Sequence, residues 1–386
     1  MKRALWVVLA LVACRASKPI PPAEPPDEPV GQLHGVERVP DLVVGVFASL
    51  TGSDAALGQA MVRGVRVAVD ERNRAGGVIG RRVNVVIRDD QSELSNAEQR
   101  VNELIDAEHA VALVGGSSPA AASAGAWVAE RRAVPMIAPT STSGRLRDIG
   151  GMVYGVALTD RSQGVAIAKF LVQRLNAHRI AMIVDSDSPY AKDVAAGVEL
   201  EVPRLGGQIV AMQTFSERHG PSGALKAVQN VHPEAVFVAS EARPGARVTW
   251  LGATAGLHVP FVGADAWEAD GMIGGRGVLA YLCTQFLAED PDPATARFVK
   301  VYTARFGHRP GSVAALSYDA TMILLDAIAR AKSVDAVDIA AEISRTTAHA
   351  GATGTITFDS LRETRKRAVC ARIADHSLAY VTAIEP

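Results

Sequence analysis

Two loops of this 386-residue chain carry hydroxyl side chains where an anion can be held, and two acids farther along stand where a cation can be met. The first loop follows the apolar run Val111 to Val114. Gly115 and Gly116 break that run, Ser117 and Ser118 follow, and Pro119 suits the first position of a helix, so Ser118 is expected to cap it. The second loop follows Val134 to Ala138 and reads Pro139, Thr140, Ser141, Thr142, Ser143, Gly144. If both runs are parallel strands, both loops lie at the carboxyl edge of one sheet. Doubly wound sheets bind ligands there, and a helix N-terminus beside hydroxyls suits a carboxylate. Asp265, in VGADAW, directly follows a buried apolar run and is well placed for a cation; Glu241, in VASEARPG, follows another and is a candidate second acid. Hydroxyl donors on one side and acids on the other are the means of holding a zwitterion, with no chemistry required.

These loops need strands and helices in alternation to position them. Asp41 to Ala48 reads as a buried strand, and Leu57, Met61, Val65, Ala68 and Val69 then recur at helical spacing until Gly76 and Gly77. Arg82 to Ile87 alternates as a strand, Asp89 and Asp90 end it and cap the next turn, and Ser95 opens a helix through Glu108. The alternation implies right-handed crossovers and a parallel sheet. It then repeats. Helix 161–175, strand 179–185, helix 190–205, strand 208–215, helix 222–230, strand 235–239, helix 246–255 and strand 259–263 describe a second doubly wound unit. Two amphipathic helices, DPATARFVKVYTARFG and VAALSYDATMILLDAIARA, complete the first. The fold class is α/β, two doubly wound parallel-sheet lobes.

The stretch TGSDAALGQAMVRGVRVAVDERNRAGGVIGRRVNVVIRDDQSE, with the spacing from Gly115 to Pro139 and the loop after it, resembles the type I periplasmic binding proteins of the leucine/isoleucine/valine-binding family; the likeness runs from about 41 to 383. The resemblance implies two lobes joined by a three-crossing hinge: 41–157 plus 286–353 form the first, and 158–285 plus 354–386, with the strands RAVCARI and LAYVTAI, the second. It implies that Ser117, Ser118, Thr140 and Thr142 hold the ligand carboxylate, that Tyr190 faces the ligand, and that Asp265, joined by Glu241, pairs with the ligand ammonium. Where many members carry Ser or Thr, this chain has Pro119. Leu57 and Trp267 are candidates for the apolar wall of the pocket. The implied function is capture of a small zwitterion, an amino acid of branched-chain type or a relative, for an ABC permease.

The first thirteen residues pair Lys2 and Arg3 with an apolar run too short to span a membrane, as a signal peptide does. Leu11 to Cys14 resembles a lipobox, so lipid is expected on Cys14, in an envelope protein facing the periplasm or exterior and touching the membrane through that anchor only. Residues 14–40 form a tether in which seven of the chain's twenty prolines occur after Cys14. No later run reads as a second span. Without the leader, 38 basic residues face 41 acidic ones, and no basic field argues for nucleic acid. Cys283 and Cys370 lie in apolar runs and either bridge or stay as two buried thiols; two cysteines cannot make a four-cysteine zinc site, and no metal or cofactor is expected. The phosphate-loop, dinucleotide, zinc-protease and nucleophile-elbow motifs are absent, so an enzyme is not expected. The rival reading is a regulatory or structural envelope lipoprotein that uses the same fold to bind a protein.

Overall fold

The run LVVGVFA has no polar side chain to offer to water, and it forms β1 (Leu42–Ala48), buried along nearly its whole length. The computed structural model describes residues 40–268, 278–374 and 377–386; the leader, Cys14 and the tether lie outside the described residues. After β1 come α1 (Ala55–Arg74), β2 (Val83–Asp89), α2 (Leu94–Asp106), β3 (Ala112–Gly115), α3 (Pro119–Arg131), β4 (Met136–Ala138) and β5 (Val153–Gly155). The five strands are parallel in the order β2-β1-β3-β4-β5. The chain therefore winds one way from β1 and the other way from β3, and the loops leaving these strands part to open a crevice at the carboxyl edge.

The second lobe begins with α4 (Asp160–Lys169), prolonged by a π turn at Phe170–Arg174. It continues through β6 (Arg179–Asp185), α5 (Pro189–Arg204), β7 (Gln208–Phe215), α6 (Ser222–Gln229), β8 (Ala235–Ala239), α7 (Ala242–Thr254), β9 (Phe261–Gly263), a 3-10 turn at Asp265–Glu268 and β10 (Ala280–Thr284). The chain then returns to the first lobe through α8 (Pro293–Phe306), α9 (Ser312–Ala331), α10 (Ala336–Ser344) and a small antiparallel sheet of β11 (His349–Gly351), β12 (Gly354–Phe358) and β13 (Thr364–Arg365). It ends in β14 (Ala368–Ala374) and β15 (Ser377–Ile384). The second sheet runs β15-β14-β10-β9-β8-β6-β7, parallel from β7 to β10 with β14 and β15 antiparallel at one edge.

Helix α9 is long and apolar enough to cross a membrane by length and composition, contrary to the expectation of no second such run. It is instead the first lobe's core helix, with 72% of its most apolar window buried. Leu316, Ala320, Ile323 and Leu324 pack with Met61 and Val65 of α1. The two helices approach so closely that a Cβ at Gly64 would meet the Ala314 carbonyl oxygen at 2.1 Å.

The segment 354–365 corrects the expected lobe boundary at 353. Ile356 and Phe358 pack into the first lobe's core, and the chain enters the second sheet only at β14. A strand's period tells which side chains are buried but not in which sheet, so GTITF reads alike in either lobe. Cys283 on β10 and Cys370 on β14 are directly opposed and joined by a disulfide, which fixes the returning strand to the parallel part of its sheet.

Three passages connect the lobes, at 156–159, 285–292 and 366–367, and they bind one another. Leu158 N–H donates to Gln285 Oε1 (2.6 Å), and Arg367 pairs with the buried Asp290 (2.7 Å). Lys366, 1% exposed, donates to Thr353 Oγ1 (2.9 Å) and faces buried Asp319. Burial pulls Lys366 down to about 7 against the attraction of Asp319, and burial pushes the Asp319 carboxyl up.

Candidate functional site

Between the lobes lies a cavity of about 500 Å³. Leu57 and Ala60 of α1, Thr140 and Thr142 after β4, and Ser312, Val313 and Leu316 of α9 line it on the first-lobe side. Glu241, Asp265, Ala266, Glu268 and Thr284 line it on the second-lobe side, with Gln285 between. The volume suits a small solute, and its place at the carboxyl edges of both sheets is the place the topology opens.

Asp265 follows β9 and is held by two partners. Tyr190, at the start of α5, donates its hydroxyl to Asp265 Oδ1 (2.6 Å), and Gln285 donates to Oδ2 (3.2 Å). The Tyr190 oxygen in turn accepts from the Ala266 N–H (3.2 Å). Burial pushes the Tyr190 phenol well above its ordinary range, and the adjacent Asp265 adds to the effect, so it stays a donor. The second lobe thus presents a carboxylate of fixed orientation.

Around it stand further acids. Glu241 begins α7 without capping it and lines the cavity as an exposed rim. Glu268, three residues after Asp265, accepts from Ser312 Oγ (2.7 Å) across the lobes, while its Oε1 is buried with no partner among the described residues. Asp160, the first residue of α4, is 6% exposed, and its Oδ1 also lacks a partner. Burial pushes Asp160 up to about 7; a hydrogen bond with Thr142 opposes the shift, and Asp265, Asp193 and Glu241 add to it. Burial of its carboxyl pushes Glu268 up to about 8, Ser312 opposing and Asp265 adding.

The hydroxyls of the first lobe are divided differently from expectation. Ser117, 2% exposed, accepts from the Ser49 N–H and donates to Ser49 Oγ, both at 3.0 Å, and Ser49 donates to buried Asp90. That chain of bonds ties the ends of β1, β2 and β3 together. Ser118 caps α3, accepting from the Ala121 N–H (3.4 Å). Neither serine lines the cavity. Thr140 lines it and donates to the Gly116 carbonyl (3.3 Å); Thr142 lines it, and its backbone carbonyl accepts from the Asp160 N–H (2.9 Å). Gly116 takes a left-handed conformation at φ +80°, and a Cβ there would overlap the Ala122 backbone at 2.1 to 2.3 Å, so the loop turns tightly onto the helix.

Leu57 lines the cavity, but Trp267 does not. Its ring is fully buried in the second lobe, packed on Gly263 where any Cβ would strike it at 2.0 Å. Large aromatic rings are drawn to core positions, and proximity in sequence to Asp265 does not set the direction of the side chain. Glu268, Thr284 and Gln285 on the cavity wall, and Asp160 beside Thr142, are residues the sequence reading passed over. Asp160 looks like an ordinary first-turn acid. The signal that singles out Glu268 is DAWE itself, where one turn puts two acids either side of a buried tryptophan.

A family model described as periplasmic binding protein matches residues 41–377. The chain belongs to this family. It is a type I periplasmic binding protein of the leucine/isoleucine/valine-binding group, a family of substrate-binding proteins rather than enzymes. An amino acid binding protein of Pseudomonas aeruginosa is 29% identical over 187 residues, 48% of this chain and 50% of that protein, so this match spans half the relative's length. A Leu/Ile/Val-binding protein homologue of Brucella abortus is 25% identical over 337 residues, 83% of this chain and 86% of that one. Among solved structures, a branched-chain amino acid transporter substrate-binding protein of Streptococcus pneumoniae in complex with isoleucine superposes with a TM-score of 0.74 at 25% identity, covering 90% of this chain and 100% of its own. In this periplasmic binding protein the cavity lies where the two sheets' carboxyl edges face each other.

Proposed function

We propose that this binding protein captures a small amine-bearing solute, an amino acid, in the interlobe cavity and delivers it to an ABC permease. The observation that carries the reading is Asp265, oriented by Tyr190 and Gln285, facing Thr140 and Thr142 across the cavity. Asp265 receives the α-ammonium with Glu241 at the rim; the Thr140 hydroxyl, turned from the Gly116 carbonyl, and backbone groups of its loop meet the carboxylate. Closing the lobes removes water from these charges, so a bound solute favours the closed form. Lipid on Cys14 and the tether of 14–40 would keep the protein at an envelope surface near its permease.

The test is a thermal-shift screen of residues 39–386, refolded free of carried-over solute, against amino acids, amines, amides and small carboxylates. A solute at one hundred times its dissociation constant adds about 2.7 kcal/mol of stability. A shift with one class of amino acid supports the reading. No shift with any compound overturns it in favour of a protein-binding role. Lipidation is read separately, as incorporation of labelled fatty acid that Cys14→Ser abolishes.

A further inference from the structure

The cavity is electrically lopsided. Glu241, Asp265 and Glu268 line it, Asp160 stands behind Thr142, and no Lys or Arg is among its lining residues. The nearby buried cation, Lys366, is already engaged with Thr353 and Asp319. The anion-holding side is weak by comparison. The hydroxyls of Ser117 and Ser118 serve the strand ends and the helix cap, and the Thr140 hydroxyl is given to the Gly116 carbonyl.

Two observations besides the count of acids point to a ligand. Glu268, on the cavity wall, keeps a buried Oε1 without a partner among the described residues. Thr284, 1% exposed on the same wall, has a hydroxyl oxygen without a partner too. Buried oxygens left without donors are costly, and a cluster of them calls for N–H groups to arrive. Among the described residues no group of His, Cys, Asp and Glu has metal-holding geometry, so the arriving donors are organic. The opposite wall is aliphatic, with Leu57, Ala60, Val313 and Leu316, and Glu268 lies at the end where α9 begins.

We propose that the solute is an aliphatic amine with more positive than negative charge, whose second cationic nitrogen is received by Glu268 while its first lies against Asp265. The methylene chain between them runs along the aliphatic wall. The inference deepens the proposed function and rests on it for the placing of the α-ammonium. A basic amino acid and a diamine both carry the chemistry, and they differ in the carboxylate.

The experiment is titration calorimetry with lysine, norleucine, cadaverine and leucine. Lysine and norleucine match in chain length and differ in the terminal ammonium. We expect lysine or cadaverine to bind about tenfold or more tighter than norleucine, because a site built around a polar group rejects the analogue that lacks it. Norleucine or leucine binding as tightly as both cations overturns the inference and leaves the amino-acid reading standing. Cadaverine binding without lysine overturns the amino-acid reading and upholds the inference; no binding by any of the four overturns both. Glu268→Gln keeps an acceptor for Ser312, so a mere interlobe latch predicts equal effects on all ligands. We expect it to abolish the preference for lysine over norleucine, with lysine losing at least about tenfold more affinity than norleucine does. Glu268→Ala serves as the second variant should Glu268→Gln not fold, with the same expected loss of preference; an undiminished preference in the folded variant counts against the inference.

Discussion

Tyr190 and Asp265 stand 75 positions apart and meet side chain to side chain, the phenol donating to Asp265 Oδ1 at 2.6 Å. One follows β6 and the other β9, so the pair spans the β6/β8 switch of the second sheet, where strand order reverses. The bond fixes one carboxylate oxygen and, through the Ala266 N–H on the tyrosine oxygen, the turn that carries it. Under the proposed function, a cation meets an acid that needs little reorganisation.

Replacing Asp265 with alanine should therefore weaken an amine-bearing solute by about 2 to 5 kcal/mol, the cost of leaving a desolvated charge unpaired. Tyr190→Phe keeps the ring but removes the bond to the acid, and should cost roughly 1.5 to 3 kcal/mol. The two losses should fall short of additive in the double variant, because both act through the same carboxylate. Calorimetry on the four proteins checks this; additive losses would show that Tyr190 acts apart from Asp265.

How much of this was legible beforehand follows from what each residue depends on. The alternation of apolar runs and helical spacings set out both lobes, and the run Gln208–Phe215 is a strand over those same residues. Asp265 was legible because an acid directly after a buried strand has one place to be, the sheet's carboxyl edge. Ser117 was not: its loop was correctly placed, but its hydroxyl bonds to Ser49, 68 residues away, and a partner at that distance leaves no local trace. The same holds for Glu268, whose partner Ser312 comes from another lobe, and for the return at 354, where the period of a strand does not name its sheet.

The disulfide gives a redox prediction. Cys283 and Cys370 close a loop with a sequence separation of 87 and lie in the second lobe's core. Reduction, or a double Cys→Ala substitution, should lower unfolding stability by about 2 to 5 kcal/mol, as for native bridges in exported domains. Urea titration with and without reductant measures the loss, and intact mass should rise by two hydrogens on reduction under denaturing conditions. Unchanged mass would show two free thiols.

The contribution of Asp160 to stability should fall as pH rises from about 4 to 7. Its folded carboxyl stays protonated up to about 7, whereas the unfolded chain's lets go near the ordinary aspartate value of 3.8. Between those values the folded protein holds the extra proton, so raising the pH favours the unfolded state. Glu268, pushed from 4.5 to about 8, acts in the same sense. Asp160→Asn removes one such group, and the gap in urea midpoint between variant and native protein should widen in the variant's favour from pH 5 to pH 8. A gap that is constant with pH would mean that Asp160 is ionised throughout.

Gln285 joins Asp265 to a passage between the lobes. Its carbonyl oxygen accepts the Leu158 N–H at 2.6 Å in the first passage between lobes, and its amide donates to Asp265 at 3.2 Å. It is 2% exposed, so water does not replace it readily. In Gln285→Ala the Leu158 N–H loses its acceptor at a cost of about 1 to 3 kcal/mol, and Asp265 loses the donor on Oδ2. Both losses are suffered where the lobes pivot. Solute affinity should therefore fall together with the compaction that solute produces in small-angle scattering, while the unliganded scattering curve changes little. Full compaction at saturating solute, with affinity reduced, would assign Gln285 to holding Asp265 alone and leave the pivot to Arg367 and Asp290, whose 2.7 Å pair joins the other two passages.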